Sequence, residues 1–283
     1  FFKKIFFIFL LTFHQIAFSC VDGFGNRTSI FLQGCNQDCQ YCHNPETIHM
    51  CTGCGACVSV CPEKALTLSD GRVIYDPKKC CGCDTCLHTC PNDASPKTQR
   101  MDAEMVFKQI EPYFPFINGI TTSGGECTLY PDFLTELYQM VKSAGKTTYM
   151  DTNGQVPLWD FPELLEVTDQ TMIDLKAGTN KDHIRLTGRS HELPAENIRQ
   201  MANLGKLYEI RTVIVPDVVD NLKTVELGSQ LIAGYPNVRY KLIKFRHYGV
   251  RTPFLKIPEP SDEMMEALGQ AAKNMGVKEV LIV

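Results

Sequence analysis

The chain has 283 residues, 44% hydrophobic and 21% charged, which leaves room for a sizeable core and suits one large α/β domain with or without a small insert. A net charge of −4 and a pI near 6.0 exclude the basic footprint of a nucleic-acid binder. The anomaly is fourteen cysteines, most of them in tight C-x₂-C runs that close poorly as disulfides and suit metal sites in a reducing compartment.

Residues 1–14 carry Lys3 and Lys4 and then the apolar run Ile5 to Phe13. The run resembles the start of a signal peptide, but it is too short to span a bilayer, which needs roughly 20 apolar residues. Phe18 next to Ser19-Cys20 makes a poor lipidation site. The segment reads as an apolar extension outside the fold; a membrane anchor and an extension of the first strand are the alternatives. No membrane attachment and a cytoplasmic location are expected. From Gln15 the chain becomes orderly. Ile16 to Ser19 reads as a short strand, Val21 to Arg27 as a Gly/Asp-rich turn, and Thr28 to Leu32 as an apolar strand.

That strand delivers Cys35-x₃-Cys39-x₂-Cys42. Three thiolates can hold three irons of a [4Fe–4S] cube and leave the fourth iron open to a non-protein ligand. A zinc site would want a fourth protein ligand, and His43, adjacent to Cys42, is badly placed to supply it. Tyr41 is equally readable as loop packing and as an aromatic wall for a flat ligand.

Residues 46–97 form a separate unit. Cys51-x₂-Cys54-x₂-Cys57-x₃-Cys61-Pro and Cys80-x₂-Cys83-x₂-Cys86-x₃-Cys90-Pro are two copies of the bacterial ferredoxin run, whose fourth cysteine ligates the other cluster. One auxiliary [4Fe–4S] cluster therefore takes Cys51, Cys54, Cys57 and Cys90, and the other Cys61, Cys80, Cys83 and Cys86. Cys81 is a second claimant to the position of Cys80. Cys20 and Cys127 read as small buried apolar residues. A hairpin is expected over residues 65–75, turning at Asp70-Gly71.

Beyond residue 97, strands alternate with amphipathic helices, the pattern of parallel βα units. Helices are expected at 102–113, 131–143, 158–167, 195–204, 222–233 and 262–273. Strands are expected at 116–122, 147–151, 170–175, 208–215, 238–243 and 279–283. The resulting fold is α/β, a partial barrel made of residues 15–45 and 98–283 with the two-cluster unit inserted. Polar residues fall where barrel chemistry falls, at the C-terminal ends of strands: Ser123-Gly124-Gly125-Glu126, Asp151-Thr152-Asn153-Gly154, Asp174-Leu175-Lys176, Arg211 and Arg246-His247. Gly124 and Gly125 let a backbone approach a ligand, and Glu126 offers a carboxylate to an ammonium group. Asp174 and Lys176 share one face of a strand, either as a structural ion pair or as a charged pair for a ligand.

The Cys35–Cys42 loop with Ser123–Glu126 resembles radical S-adenosylmethionine (SAM) enzymes. Residues 19–27, 31–35 and 41–45, with Asp151–Gly154, Asp174–Lys176 and Leu186-Thr187-Gly188, are similar to glycyl-radical-enzyme activating enzymes. The early two-cluster insert is most like the YjjW-type activases. The resemblance covers residues 15–283. It implies that SAM chelates the open iron of a site cluster on Cys35, Cys39 and Cys42, with two auxiliary [4Fe–4S] clusters besides. The implied SAM pocket comprises Tyr41, Cys42, His43, Gly124, Gly125, Glu126, Asp151, Asp174, Leu175, Lys176, Arg211 and either Arg246 or His247. Within it Glu126 holds the amino group, and Asp174 and Lys176 the carboxylate and ribose region. Reductive cleavage of the sulfonium would give a 5′-deoxyadenosyl radical that takes hydrogen from a glycine Cα of a partner enzyme. An electron donor such as flavodoxin or ferredoxin would supply the electron.

Two positions depart from the family pattern: Phe24 stands where proline is usual, and Arg246 aligns with the ligand-contacting histidine, one residue before His247. A radical SAM enzyme acting on a small molecule and a non-catalytic iron–sulfur carrier are the rival readings.

Overall fold

The computed structural model describes residues 10–283, without side-chain detail at 10–14 and 252. The apolar extension expected over residues 1–14 lies outside these residues up to position 9. Its remainder, residues 10–14, belongs to the fold.

Strand β1 (Leu10–Ser19) pairs antiparallel with β2 (Arg27–Leu32), so it starts well before Ile16. Its first residues, Leu10 to Thr12, pair with β5 (Gln99–Met101). This corrects the boundary expected at residue 15, and the reason is tertiary: the start of β1 pairs with β5, and from Thr12 onward the strand pairs with β2. Between β2 and β5 lie the hairpin β3 (Leu66–Ser69) and β4 (Arg72–Tyr75) and the short helix α1 (Thr85–Thr89).

The remainder alternates as the periodicity requires. Helix α2 (Ala103–Ile110) is capped by Asp102, whose carboxylate accepts the Met105 N–H at 2.7 Å. Strand β6 (Gly119–Gly124) begins three residues later than the apolar run suggested, because Pro112 and Pro115 hold residues 111–116 in a 3₁₀ turn. Then follow α3 (Pro131–Ser143), β7 (Thr147–Thr152), α4 (Pro162–Val167) and β8 (Gln170–Asp174). Helices α5 (Asn180–Thr187) and α6 (Glu192–Asn203) come in succession before β9 (Leu207–Ile214). The chain ends with α7 (Asn221–Ile232), β10 (Arg239–Lys244), α8 (Asp262–Asn274) and β11 (Glu279–Ile282). Among the described residues no helix is long and apolar enough to cross a membrane.

The large sheet has the order β11-β10-β9-β8-β7-β6-β2-β1-β5. Strands β2 and β6 to β11 run parallel; β1 and β5 are antiparallel additions at one edge. The order is linear, which fits the partial barrel expected. Side chains alternate across each strand. Ile30, Leu32, Ile120, Met150, Ile173, Ile210 and Leu242 belong to the core cluster that also contains the apolar faces of α2, α3, α6, α7 and α8. Many of the alternate positions are polar, among them Ser29, Thr121, Asp151, Asp174, Glu209 and Lys241. Glu209, with a fully buried side chain, accepts Arg211 Nε at 2.5 Å, Arg239 Nε at 2.5 Å and Lys241 Nζ at 3.1 Å. Burial alone would raise the Glu209 carboxyl, but these three cations hold it below its ordinary value.

The turn at residues 20–26 closes the opposite end of the sheet from the strand-end motifs. Asp22 Oδ2 accepts Ser19 Oγ at 2.6 Å and Ser29 Oγ at 2.7 Å. Arg27, 1% exposed, lies 3.7 Å above the Tyr149 ring and donates to Thr121 Oγ1, Thr147 Oγ1 and the Ile120 carbonyl.

Candidate active site

The Cys35–Cys42 loop leaves the C-terminal end of β2 and is pinned from several sides. Gly34 and Cys35 donate to the carbonyls of Thr47 and Ile48, at 2.8 and 3.0 Å. Asp38 and Gln40 donate to the carbonyls of Thr187 and Leu186, at 3.1 and 2.9 Å, so the Leu-Thr-Gly run ending α5 is a prop for the loop. Arg251 bonds Asp38 from the far rim.

The strand-end motifs reach the same place. Cys35, Cys39, Tyr41, Cys42 and His43 line one cleft of about 240 Å³ with Gly124, Gly125, Glu126, Asp151, Asp174, Lys176 and Arg211. Burial pushes the Cys35 thiol up to about 11 and Cys39 to about 12. As isolated thiols they stay protonated near neutrality, and an iron cation bound there would displace those protons. Lys176 Nζ bonds Asp174 Oδ2 at 2.8 Å and lies 5.8 Å from the centre of the Tyr41 ring. Desolvation opposes the Lys176 charge, but Asp174 and its other neighbours outweigh it and keep the ammonium protonated. Arg211 Nη1 bonds Asp151 Oδ2 at 3.0 Å, and Ser123 Oγ donates to the same oxygen. Burial nevertheless pushes the Asp151 carboxyl up to about 6.

Several expectations change. Glu126 is not a free carboxylate. At 1% exposure its Oε1 accepts Thr128 N, Thr128 Oγ1 and Thr152 Oγ1, and its Oε2 accepts Asn153 N at 2.7 Å. It ties the ends of β6 and β7 together and leaves room for one further donor at Oε2. The two glycines admit backbone as much as ligand: a Cβ on Gly124 would sit 2.2 Å from Leu32 N and O, and one on Gly125 2.3 Å from Gly34 O. Leu175 is fully buried in the apolar core beside the pocket, because Asp174 and Lys176 take the inward positions. Arg246 and His247 lie outside the cleft lining. The His247 ring bonds the Ile257 carbonyl at 2.7 Å and faces Glu259, while the Arg246 carbonyl meets His43 Nε2 at 2.9 Å. The loop after β10 turns both side chains away while its backbone clasps His43. Asn153, noted only within its four-residue run, donates to Cys35 Sγ at 3.6 Å and Asn36 Oδ1 at 2.9 Å. Gln37 carried no signal of its own.

The other eight expected ligands gather around two small cavities. One is lined by Cys51, Cys54, Cys57 and Cys90, the other by Cys61, Cys80, Cys83 and Cys86 together with Cys81. The repeat shows in the hydrogen bonds: Ala65 N donates to Cys61 Sγ at 3.2 Å, and Ala94 N to Cys90 Sγ at 3.4 Å. Among the described residues no three His, Cys, Asp or Glu side chains converge on a point that one metal ion could occupy. Thiols ringing a cavity suit a polynuclear cluster better than zinc.

With three cysteines and a polar cleft at the strand ends of an open parallel sheet, the class can be stated. The chain belongs to the Radical SAM superfamily, whose model matches residues 29–227, and it is an enzyme of oxidoreductase-type radical chemistry. Several of its curated relatives are activating enzymes. It is 29% identical to the trans-4-hydroxy-L-proline dehydratase activating enzyme of Clostridioides difficile, over 87% of this chain and 90% of that one. It is 30% identical to the (2S)-3-sulfopropanediol sulfolyase activating enzyme of Bilophila wadsworthia, over 84% of this chain and 86% of that one. Among solved structures, a radical SAM methyltransferase from Sphaerobacter thermophilus shares the fold with a TM-score of 0.56, at 15% identity over 91% of this chain and 66% of that one.

Proposed function

We propose that this chain installs a glycyl radical on a partner glycyl radical enzyme, using SAM at a [4Fe–4S] cluster on Cys35, Cys39 and Cys42. Two further [4Fe–4S] clusters occupy a ferredoxin-like insert of the YjjW type over residues 46–97, on the two cysteine sets that line its cavities. The observation that carries the reading is that the three-cysteine loop and the charged strand ends share one cleft. The names of the relatives, activating enzymes of a dehydratase and a sulfolyase, support a protein partner.

When bound, the cluster and SAM supply one-electron cleavage of the sulfonium and a carbon radical able to take hydrogen from a glycine Cα. The chain's own residues bind and orient. Lys176, kept charged by Asp174, meets a carboxylate. The open position on Glu126 Oε2 meets the ammonium group. Tyr41, 3% exposed, walls the cleft beside Cys42. Asp151, held by Arg211 and Ser123, and Asp174 present carboxylates to hydroxyl groups. A flavodoxin or ferredoxin would donate electrons in a reducing cytoplasm.

The test is anaerobic reconstitution of the full chain, with dithionite and SAM, following 5′-deoxyadenosine. A glycyl signal by electron paramagnetic resonance (EPR) on an added glycyl radical enzyme supports the proposal. Full cluster loading with no SAM cleavage refutes the SAM site. Cleavage without a glycyl signal on any candidate refutes the protein partner and favours a small-molecule substrate.

A further inference from the structure

Gln37 lies between Cys35 and Cys39, is 3% exposed, and lines the same cleft as the three cysteines. Its backbone N–H donates to Cys35 Sγ at 3.4 Å, and Asn153 Nδ2 donates to the same sulfur. Burial raises the Cys42 thiol, opposed by the backbone N–H of Asn44. Cys39 is different: among the described residues the only partner of its thiol is the Gln37 side-chain carbonyl, Oε1, to which Sγ–H donates at 3.3 Å. The other half of that amide, Nε2, is buried and has no partner among the described residues.

This arrangement suits a thiol and not a ligand. A ligating cysteine is a thiolate with no proton to give, and a carbonyl oxygen facing it is repelled. A half-turn of the amide exchanges two groups of nearly equal size. It brings Nε2 to the sulfur, and the orphan donor gains a partner. The carbonyl takes the buried position instead, where an unpaired acceptor is tolerated more often than an unpaired donor.

We propose that Gln37 is a positioning residue whose side-chain N–H donates to the Cys39 thiolate and raises the reduction potential of the site cluster. The inference rests on the cluster assignment proposed above. An N–H dipole on a ligand sulfur stabilises the more electron-rich, reduced cluster over the oxidised one. With Cys35 already facing two N–H groups, this bond would give Cys39 a donor as well.

The test is the midpoint potential of the reconstituted full-length protein, titrated under EPR and read on the signal that changes when SAM is added. Gln37→Leu, of similar volume, is expected to shift the one-electron reduction equilibrium about tenfold towards the oxidised cluster, about 59 mV. Gln37→Glu, which offers only acceptors, should shift it at least as far. An unchanged potential in a fully loaded Gln37→Leu protein overturns the inference and leaves the cluster assignment standing. If the wild-type protein has no SAM-sensitive signal, the cluster assignment itself falls, and this inference with it. Should the variants lose iron, wild-type protein with ¹⁵N in its glutamine side-chain amides decides: a nitrogen coupling on the SAM-sensitive signal in pulsed EPR supports the bond, and its absence overturns it.

Discussion

Substituting Gly125 by alanine tests whether the cleft depends on backbone contact between the β6 end and the cysteine loop. The Gly125 φ lies outside the left-handed region, so the substitution brings a steric clash without backbone strain. The new methyl would meet Gly34 O at 2.3 Å, Gly34 C at 2.7 Å and Thr47 O at 2.7 Å, all backbone atoms. The closest of these falls about 1 Å short of an ordinary contact. Gly34 cannot retreat alone, since it carries Cys35 and accepts the Glu126 N–H at 2.8 Å, while Gly125 N donates to Leu32 O at 2.8 Å. Losing both bonds costs about 1 kcal/mol each. Overpacking adds about 1–3 kcal/mol, so the native loop position is disfavoured by ~3–5 kcal/mol. The loop rather than the sheet should yield. With the three clusters proposed above, anaerobic reconstitution of Gly125→Ala should then lose about a third of the iron, with the SAM-sensitive EPR signal gone and the remaining iron retained. A variant that keeps all its iron and that signal would refute the reasoning.

Arg211→Met should leave Glu209 and Asp151 buried with too little positive charge and lower stability by about 3–5 kcal/mol, seen as a lower urea midpoint at unchanged slope. Lys176→Met should weaken SAM binding about tenfold or more, ~1.4 kcal/mol, by equilibrium dialysis, because the cleft then presents Asp174 unpaired. Burial lowers His183, which is fully buried, to about 4 from its ordinary 6.5. The unfolded chain therefore takes up this proton first, so the stability is full above pH 6.5 and is lost as pH falls towards 4. The loss amounts to ~3 kcal/mol at about 1.36 kcal/mol per unit. His183→Asn should flatten the difference in urea midpoint between pH 4.5 and 7.

The alternation of sheet and helix was legible because each strand carries one apolar face and each helix an apolar stripe, and those periods survive in the chain. Strand β5 was not. Three residues, Gln99 to Met101, become a strand only because Leu10 to Thr12 lie beside them. Helix α5 has few apolar residues, and its start rests on the Thr179 side chain accepting Asp182 N. At the cleft, cysteine spacing and strand-end polarity named most of the lining. Where a side chain is already spoken for is a different matter. Glu126 already accepts four bonds from Thr128, Thr152 and Asn153, which leave one open position at Oε2. Arg246 and His247 are turned outward by a loop whose path no local pattern fixes. Gln37 shows the converse, a residue with no motif whose role depends on what surrounds its amide.

The pairing of β2 with β6 joins Arg27 to Gly119, about ninety residues apart. At a synthesis rate of about 5–20 residues per second, β2 leaves the ribosome ~5–20 s before its parallel partner exists. Strands β6 to β11 are linked by short helical crossovers and close quickly, whereas β2 must wait and then close a long loop. The hairpin β3–β4 and its cysteine runs, whose pairings are local, can form during that wait. The order of assembly that follows puts the cysteine-rich segment first and the Cys35 loop last. In pulse-labelling of nascent chains, Cys35, Cys39 and Cys42 should therefore be the last thiols to gain protection.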